Sequence, residues 1–491
     1  MARLLRRLPF WLTPRGGVVL LILGLSSEAI YLLVFTQPLL LTRYYDVPLM
    51  DLGKITGYSF DALWAFVVGN IALFVACCLV FNISREPLSR WAKVLILLFP
   101  LLFALTLLFA YPATAADVYD YTVQARVLTE YHDNPLVVPP GAFPDDPFSP
   151  YVVWQAAPSF YGPFWLLLSA IPSLLAGDDL LSNIIAFKFL AMAFYLGSAI
   201  LIYLILSETK PSFRLSGTVF FAWNPLVLWE TIANAHNDTV MVFFALLAVC
   251  LFVRRRKALA LPVLALAALT KYTASLIFPL FLASFLGEKG KQRRVTISLF
   301  AGLALSAIVT LLLFYPFWSG PGTFDALAER MELVTASPAA VVFYALESSF
   351  SPDELGSFLK TATMVVFGLV YLWLVARAAR GFTAMLHAAH DAIFFYLLIA
   401  CLWFQPWYVV WLLGIGALLV GNPVAWRGFV FSFTGMMSYA VFVFIWVIYA
   451  EHFENPLLIQ SLAVAVIYIA PVSYWLGEAF THLKGKSLVR R

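Results

Sequence analysis

The chain has 491 residues, 62% of them hydrophobic and only 12% charged, with a net charge of +4 and a mean hydropathy of +0.89. A soluble fold of this length has no means of hiding so much apolar surface, and apolar stretches of roughly 20 residues recur throughout, so soluble and nucleic-acid-binding classes are excluded. What remains is an all-α, polytopic membrane protein, a single transmembrane domain over residues 1–491 set in a lipid bilayer.

The first predicted element follows the basic N-terminus MARLLRRLPFWLTPRGG. Its apolar run is long and lacks a small-residue cleavage site, so it reads as an uncleaved first span and not as a signal peptide. Basic residues then recur in separated clusters: Arg3, Arg6, Arg7 and Arg15, the Arg85–Lys93 loop, the Lys210–Arg214 loop, Arg254 to Lys257, the Lys289–Arg294 loop, the Arg377–Arg380 turn, Arg427, and Lys484, Lys486, Arg490 and Arg491. The positive-inside rule places these in the cytoplasm, both termini included, for a multi-pass protein of the plasma membrane. The loops between them face outward, and two are long and acidic. Residues 112–160 carry Asp117, Asp120, Glu130, Asp133, Asp145 and Asp146 against Arg126. Residues 317–357, the second outer loop, carry Asp325, Glu329, Glu332, Glu347, Asp353 and Glu354 against Arg330.

The alternation is irregular in two places. Tyr161–Gly177 is short and leads into Asp178 and Asp179. Were it a crossing, the basic Lys210–Arg214 loop would face outward. It is predicted to be re-entrant or to lie along the surface, within a large outer loop over 112–182 that follows the third span and holds membrane-parallel helices. Ala258–Leu286 is basic at both ends, which requires an even number of crossings. A hairpin of two short helices fits, with Lys271 near its apex in the outer half of the membrane. The total is about 12–14 spans, with about 14 favoured. The cysteines Cys77, Cys78, Cys250 and Cys401 all lie in apolar runs and imply no disulfide framework.

Four motifs carry chemistry. In ADVYDY, Asp117 and Asp120 share one helical face just beyond a hydrophobic segment. A single aspartate there would serve as a helix cap. Two of them among Tyr119, Tyr121 and Tyr131 suit a sugar, whose hydroxyls need acceptors and whose C–H faces pack on rings, and a carboxylate so placed can act as general base. In ETIANAHNDT, His236, Asn237 and Asp238 form a polar run at an outer turn; ionisable groups at such depth mark functional sites, while Asn and Asp also suit a solvated turn. In TKYT, Lys271 beside Tyr272 is costly unless it is paired or snorkels, and a phosphate at the outer interface would be a natural partner. In WFQPWYVVWLL, Pro406 breaks a helix beside Gln405 and Trp407, where an aromatic belt is the plainer reading. LHAAHDA sets His387, His390 and Asp391 on one helical face at a spacing suited to a metal, yet toward the cytoplasmic half, where a structural cluster fits better. Glu28, Asp61 and Lys188 are isolated charges in apolar runs that packed ion pairs would explain.

Taken together, DVYDY (Asp117–Tyr121), DNPLVVPP (Asp133–Pro140), DDPF (Asp145–Phe148), YGPFWLLLS (Tyr161–Ser169), WNPLVL followed by HNDTVM (Trp223–Met241), LALAALTKYTASLIFPL (Leu264–Leu280) and QPWYVVW (Gln405–Trp411) resemble the GT-C superfamily of membrane glycosyltransferases. The nearer resemblance is to the polyprenol-phosphomannose-dependent α-1,6-mannosyltransferases. It implies a GT-C-like helical bundle, a lipid-phosphate-linked hexose donor bound from the outer leaflet, and Asp117 as the catalytic aspartate at the start of the first large outer loop, with Asp120 beside it. The second aspartate of the usual D-x-D or E-x-D form is not at that spacing here, so a bound divalent metal has no support, and no cofactor is expected.

The expected activity is transfer of a hexose, mannose by the resemblance, from a polyprenyl-phosphate donor to a glycan or lipid acceptor on the outer face, with inversion. Asp117 takes the acceptor proton, and Lys271 with Arg126 stabilises the departing phosphate. The substrate-binding set is Tyr119, Arg126, Tyr161, His236, Asn237, Asp238, Lys271, Tyr272, Gln405 and Trp407. The rival reading is a multi-spanning transporter or lipid flippase, which would also carry buried charges and broken helices. Against it, no inverted repeat is visible, and the polar residues gather on one face. A non-enzymatic scaffold leaves the aspartates and Lys271 unexplained.

Overall fold

In the computed structural model, residues 17–286, 292–450 and 456–489 are described. The basic residues Arg3, Arg6, Arg7 and Arg15, Lys289, and Arg490 with Arg491 lie outside the described residues. Within them the chain is all-α, with no strand and two isolated bridges, Leu40 with Ala110 and Thr335 with Trp403.

The elements run α1 (Gly17–Thr36), α2 (Phe60–Ile83), α3 (Arg90–Leu107), α4 (Asp117–Thr129), α5 (Pro163–Ala176), α6 (Leu180–Thr209), α7 (Arg214–Ala222), α8 (Pro225–Ala233), α9 (Asp238–Val253), α10 (Lys257–Thr270), α11 (Tyr272–Phe285), α12 (Thr296–Phe317), α13 (Pro352–Ala378), α14 (Phe382–Ala400), α15 (Pro406–Leu419), α16 (Ala425–Ile448) and α17 (Pro456–Thr481). Among the described residues, nine of them are long and apolar enough to cross a membrane by length and composition: α1, α2, α3, α6, α12, α13, α14, α16 and α17. Side-chain oxygens of Ser59, Ser89 and Asp179 cap α2, α3 and α6 by accepting the N–H of Ala62, Ala92 and Ser182. Large apolar side chains stand exposed along α12 and α13, among them Phe300, Leu311, Phe358 and Leu369. Continuous apolar exposure of this kind is a lipid-facing surface.

Of the roughly 14 crossings expected from charge, these nine helices supply nine, and α8 with α9, bent by 117° at their break, a tenth if the pair is one broken span. Helices α10, α11 and α15 are apolar but shorter. A helix of 14 residues such as α10 is about 21 Å long, short of the ~30 Å hydrocarbon core. Its end therefore lies within the protein, where freed backbone groups find internal partners. Gly162 N–H donates to Thr270 O at 3.2 Å, Thr335 N–H to Leu402 O at 3.0 Å, and Phe404 N–H to Thr335 O at 3.1 Å.

Packed ion pairs do not explain the three isolated charges. Lys188 is completely buried and donates instead to backbone carbonyls, Ala110 O at 2.5 Å and Ala233 O at 2.6 Å. These carbonyls close the ends of α3 and α8, where helix geometry leaves them without partners, and an ammonium with three donors serves them without a counter-charge. Glu28 accepts from the Thr106 hydroxyl. Asp61 is exposed in the first turn of α2, where the helix dipole favours an anion. The LHAAHDA cluster is structural. Asp391 accepts from Arg377 at 2.5 Å and from Arg427 at 2.9 Å, and Arg427 also pairs with Glu478 at 2.8 Å, so one buried network ties α13, α14, α16 and α17 together.

Candidate active site

The site forms where four broken segments meet: the start of α4, the loop ahead of α5, the α8–α9 turn and the α10–α11 break. Ala116 precedes α4 without a side-chain cap, and both aspartates lie in the first turn, where the helix dipole favours an anion. Asp117 accepts from the Tyr161 hydroxyl at 3.1 Å, and Tyr161 in turn accepts from the Tyr121 hydroxyl at 3.3 Å. Asp120 accepts the Trp154 N–H at 3.0 Å and so fastens the loop ahead of α5. Burial raises the Asp117 carboxyl above its ordinary range, opposed by the Lys271 charge and the Tyr161 hydrogen bond. Burial, and then the neighbouring charge of Asp117, pushes Asp120 up to about 8. Both carboxyls are thus raised, and Asp120 holds its proton near neutral pH. Asp117 keeps part of its surface open.

Tyr161 is positioned by the glycine that follows it. A Cβ at Gly162 would lie 2.0 Å from Leu269 O, so only glycine lets the loop seat against the end of α10. Lys271, extended at φ −147 and ψ 119, interrupts the helix at that point. Its ammonium bonds both oxygens of Asp238, at 2.8 and 2.9 Å. It lies over the rings of Tyr408 at 5.0 Å, Trp411 at 5.4 Å and Tyr161 at 5.9 Å, an aromatic box that favours a cation. The Trp411 indole N–H also donates to Asp238. Asp117, Asp238 and Lys271 are thus joined through Tyr161.

The α8–α9 turn needs Ala235 in the left-handed region, at φ 58. A non-glycine residue there carries strain that the surroundings must hold. His236 stacks on Trp407, centroids 4.0 Å apart, and both of its ring nitrogens, with both side-chain polar atoms of Asn237, are buried without a hydrogen-bond partner. Behind the turn, Glu230 accepts from Asn234 and from the Tyr439 hydroxyl, each at 2.8 Å.

Two clefts lie near the site. The first is lined by Tyr161, Lys271, Tyr272, Arg330, Tyr408 and Trp411 among others. A narrow apolar crevice, lined by Met241, Phe281, Met385 and Ile393, adjoins it across Trp411. The second cleft runs along the segment leading into Asp117 and is lined by Asp51, Tyr58, Thr114 and Ala116. Among the described residues, no group of three or more His, Cys, Asp or Glu side chains is arranged to hold a metal.

Of the sequence-predicted residues, Asp117, Asp120, Tyr161, His236, Asn237, Asp238, Lys271, Tyr272 and Trp407 gather here. Arg126 does not. Its guanidinium pairs with Asp146 at 2.8 Å and Asp178 at 2.7 Å and lies over the Phe148 ring at 4.7 Å. Tyr119 donates to Tyr45 O at 3.1 Å and stacks on Tyr151, facing away from the first cleft. Gln405 stands at the break before α15, half-buried, without a side-chain cap bond. Two groups went unseen in the sequence. Glu230 lay within the ETIANAHNDT motif but gave no sign of its buried partners. Arg330 was visible only as the one base in an acidic loop, and the structure sets it in the first cleft.

A family model described as alpha-(1->6)-mannopyranosyltransferase, N-terminal domain, matches residues 32–287. The alpha-(1->6)-mannopyranosyltransferase A of Corynebacterium glutamicum is 22% identical over 348 residues, covering 63% of this chain and 68% of that protein. The matched stretch holds Asp117, Tyr161, Asp238 and Lys271, the residues that the folded chain draws together. With more than half of its 491 residues inside that match, the chain belongs to the alpha-(1->6)-mannopyranosyltransferase family and is a membrane glycosyltransferase of GT-C type.

Proposed function

We propose that the protein transfers mannose from a polyprenyl-phosphate donor to a glycan or lipid acceptor at the outer face of the plasma membrane, with both termini in the cytoplasm and the 112–182 loop lying over the outer leaflet. The observation that carries this reading is the link from Asp117 through Tyr161 to a cleft that bears cations and adjoins an apolar crevice. A sugar on a lipid phosphate needs those three environments side by side.

In this reading the isoprenoid chain occupies the crevice below Trp411, and the sugar lies near Tyr161. The acceptor arrives by way of the second cleft. Its hydroxyl oxygen attacks the anomeric carbon as the bond from that carbon to the phosphate oxygen breaks. The lipid phosphate leaves with the electron pair, the hydroxyl proton passes to Asp117, and the configuration inverts. The Tyr161 phenol, held far above its usual range by burial, stays a donor to Asp117 and keeps it aimed. Lys271, fixed by Asp238, adds positive field to the departing phosphate. The step as written calls on no cofactor. The 22% identical relative is named as an alpha-(1->6)-mannopyranosyltransferase, and that supports mannose over other hexoses.

Incubation of the purified protein with labelled polyprenyl-phosphate mannose and candidate acceptors tests the reading. Label transfer that Asp117→Asn abolishes is the expected result. No transfer from any lipid-phosphate hexose, together with label crossing a sealed vesicle, would replace it by a flippase.

A further inference from the structure

The cations of the first cleft are not equivalent. Lys271 is held at both oxygens of Asp238, 2.8 and 2.9 Å away, a pair that is neutral in sum. Arg126 is spent on Asp146 and Asp178. Arg330 and Lys360 also line the cleft, and neither has a carboxylate at ion-pair distance among the described residues. The Arg330 guanidinium carbon lies over the Trp154 indole, 3.4 Å from its centroid, and 4.9 Å from that of Phe160. Contact with two rings anchors the fork without a counter-charge. One terminal nitrogen, Nη2, is buried with no hydrogen-bond partner. An unmet buried donor is costly, and Arg330 lines the cleft, so a ligand there that supplies acceptor oxygens would meet it.

Its place in the cleft fits the same need. Phe160, near the guanidinium, is followed directly by Tyr161, whose hydroxyl is on Asp117. Trp154, the other ring in contact, gives its N–H to Asp120. Arg330 is thus tied to the segments that hold both aspartates. Lys360 is a second, looser point charge one turn ahead of Met364, which lines the same cleft. A planar fork plus a point charge is the donor set that suits a phosphate monoester or diester.

We propose that Arg330, assisted by Lys360, holds the phosphoryl group in the first cleft, so that the second outer loop supplies the main phosphate contact. This rests on the donor class proposed above and deepens it. Arg330 lies beyond the residues matched to the family, which end at 287.

The test uses farnesyl phosphate, farnesol and inorganic phosphate as probes of the purified full-length protein, read as binding affinity and as shift of the melting temperature. Wild type and Asp117→Asn are expected to bind farnesyl phosphate more tightly than farnesol. Arg330→Gln should lose about 10- to 100-fold of that affinity, in line with one or two hydrogen bonds to a charged group. Arg330→Lys should recover part of it, and Lys360→Gln should lose less. Competition by inorganic phosphate that vanishes in Arg330→Gln would assign the contact to the head group itself. A wild type indifferent between farnesyl phosphate and farnesol would end both this assignment and the donor class. A discrimination that survives intact in an Arg330→Gln protein melting like wild type would end this assignment alone. Donor KM should rise in Arg330→Gln in step with the lost affinity; a lower melting temperature with an unchanged KM per folded molecule would mark Arg330 as merely structural and overturn it.

Discussion

Asp117 and Asp120 stand one helical turn apart and do different things. Asp117 keeps an open side and a single tyrosine donor; Asp120 is buried and holds the Trp154 N–H. Asp117→Asn is expected to retain the fold and to lose about 10²–10⁴-fold in transfer rate, the usual cost of removing a general base, measured per folded molecule. Asp120 should instead govern stability against pH. Its pKa rises from 3.8 to about 8 on folding, so the folded state binds its proton more tightly than the unfolded state does. The associated stability is full below about pH 4 and is lost as the pH climbs through about 8. Melting temperatures taken from pH 5 to 9 should therefore fall more steeply for wild type than for Asp120→Asn, and parallel curves would remove the assignment. The sequence made Asp117, Asp238 and Lys271 conspicuous because ionisable groups in apolar runs need a reason to be there. The same rule misdirected attention to Arg126, whose partners lie 20 and 52 residues away and only meet it in the folded chain. The contact of Arg330 with Trp154 has no signature in spacing at all.

The short helices matter as elements because their ends, and not their faces, build the site. The close seat of Gly162 on Leu269 joins the loop ahead of α5 to the end of α10. Gly162→Ala would push a Cβ into backbone 2.0 Å away, which cannot rotate aside, so a loss of about 1–3 kcal/mol is expected. Tyr161 should shift with it, and transfer should fall even in the folded fraction. Gly368→Ala, where nothing lies within 4 Å, should change stability by no more than about 1 kcal/mol and leave transfer alone. A thermal melt paired with an activity assay on both variants checks the contrast. Element type and order were legible, since apolar length and basic clusters fix where helices begin and end. The partners of their broken ends were not. Lys188 looked like half of an ion pair because an inventory of charges cannot reveal backbone carbonyls left open at the ends of α3 and α8.

For the whole molecule, catalytic and anchoring functions share helices. The Arg377, Asp391, Arg427 and Glu478 network ties α13, α14, α16 and α17 together, and α13 and α14 also line the first cleft and the apolar crevice through Lys360 and Ile393. Asp391→Asn takes the carboxylate from Arg377 and leaves Arg427 with Glu478 alone, and breaking a buried pair in this way costs up to about 3–5 kcal/mol. Its melting temperature should drop, and a melt like that of wild type would remove the anchoring role. The second outer loop is pinned at its start and again at its middle. Asn134 holds Phe317 O at 2.7 Å and Ser319 Oγ at 3.1 Å, while Thr335 exchanges backbone bonds with Leu402 and Phe404. Arg330 hangs between those two piers. Such a stretch is an arch and not a flap: it has no free edge to lift. A molecule bound beneath it has to slide in from the side, along the flank of α13, as a lipid drifting in the plane of a bilayer would.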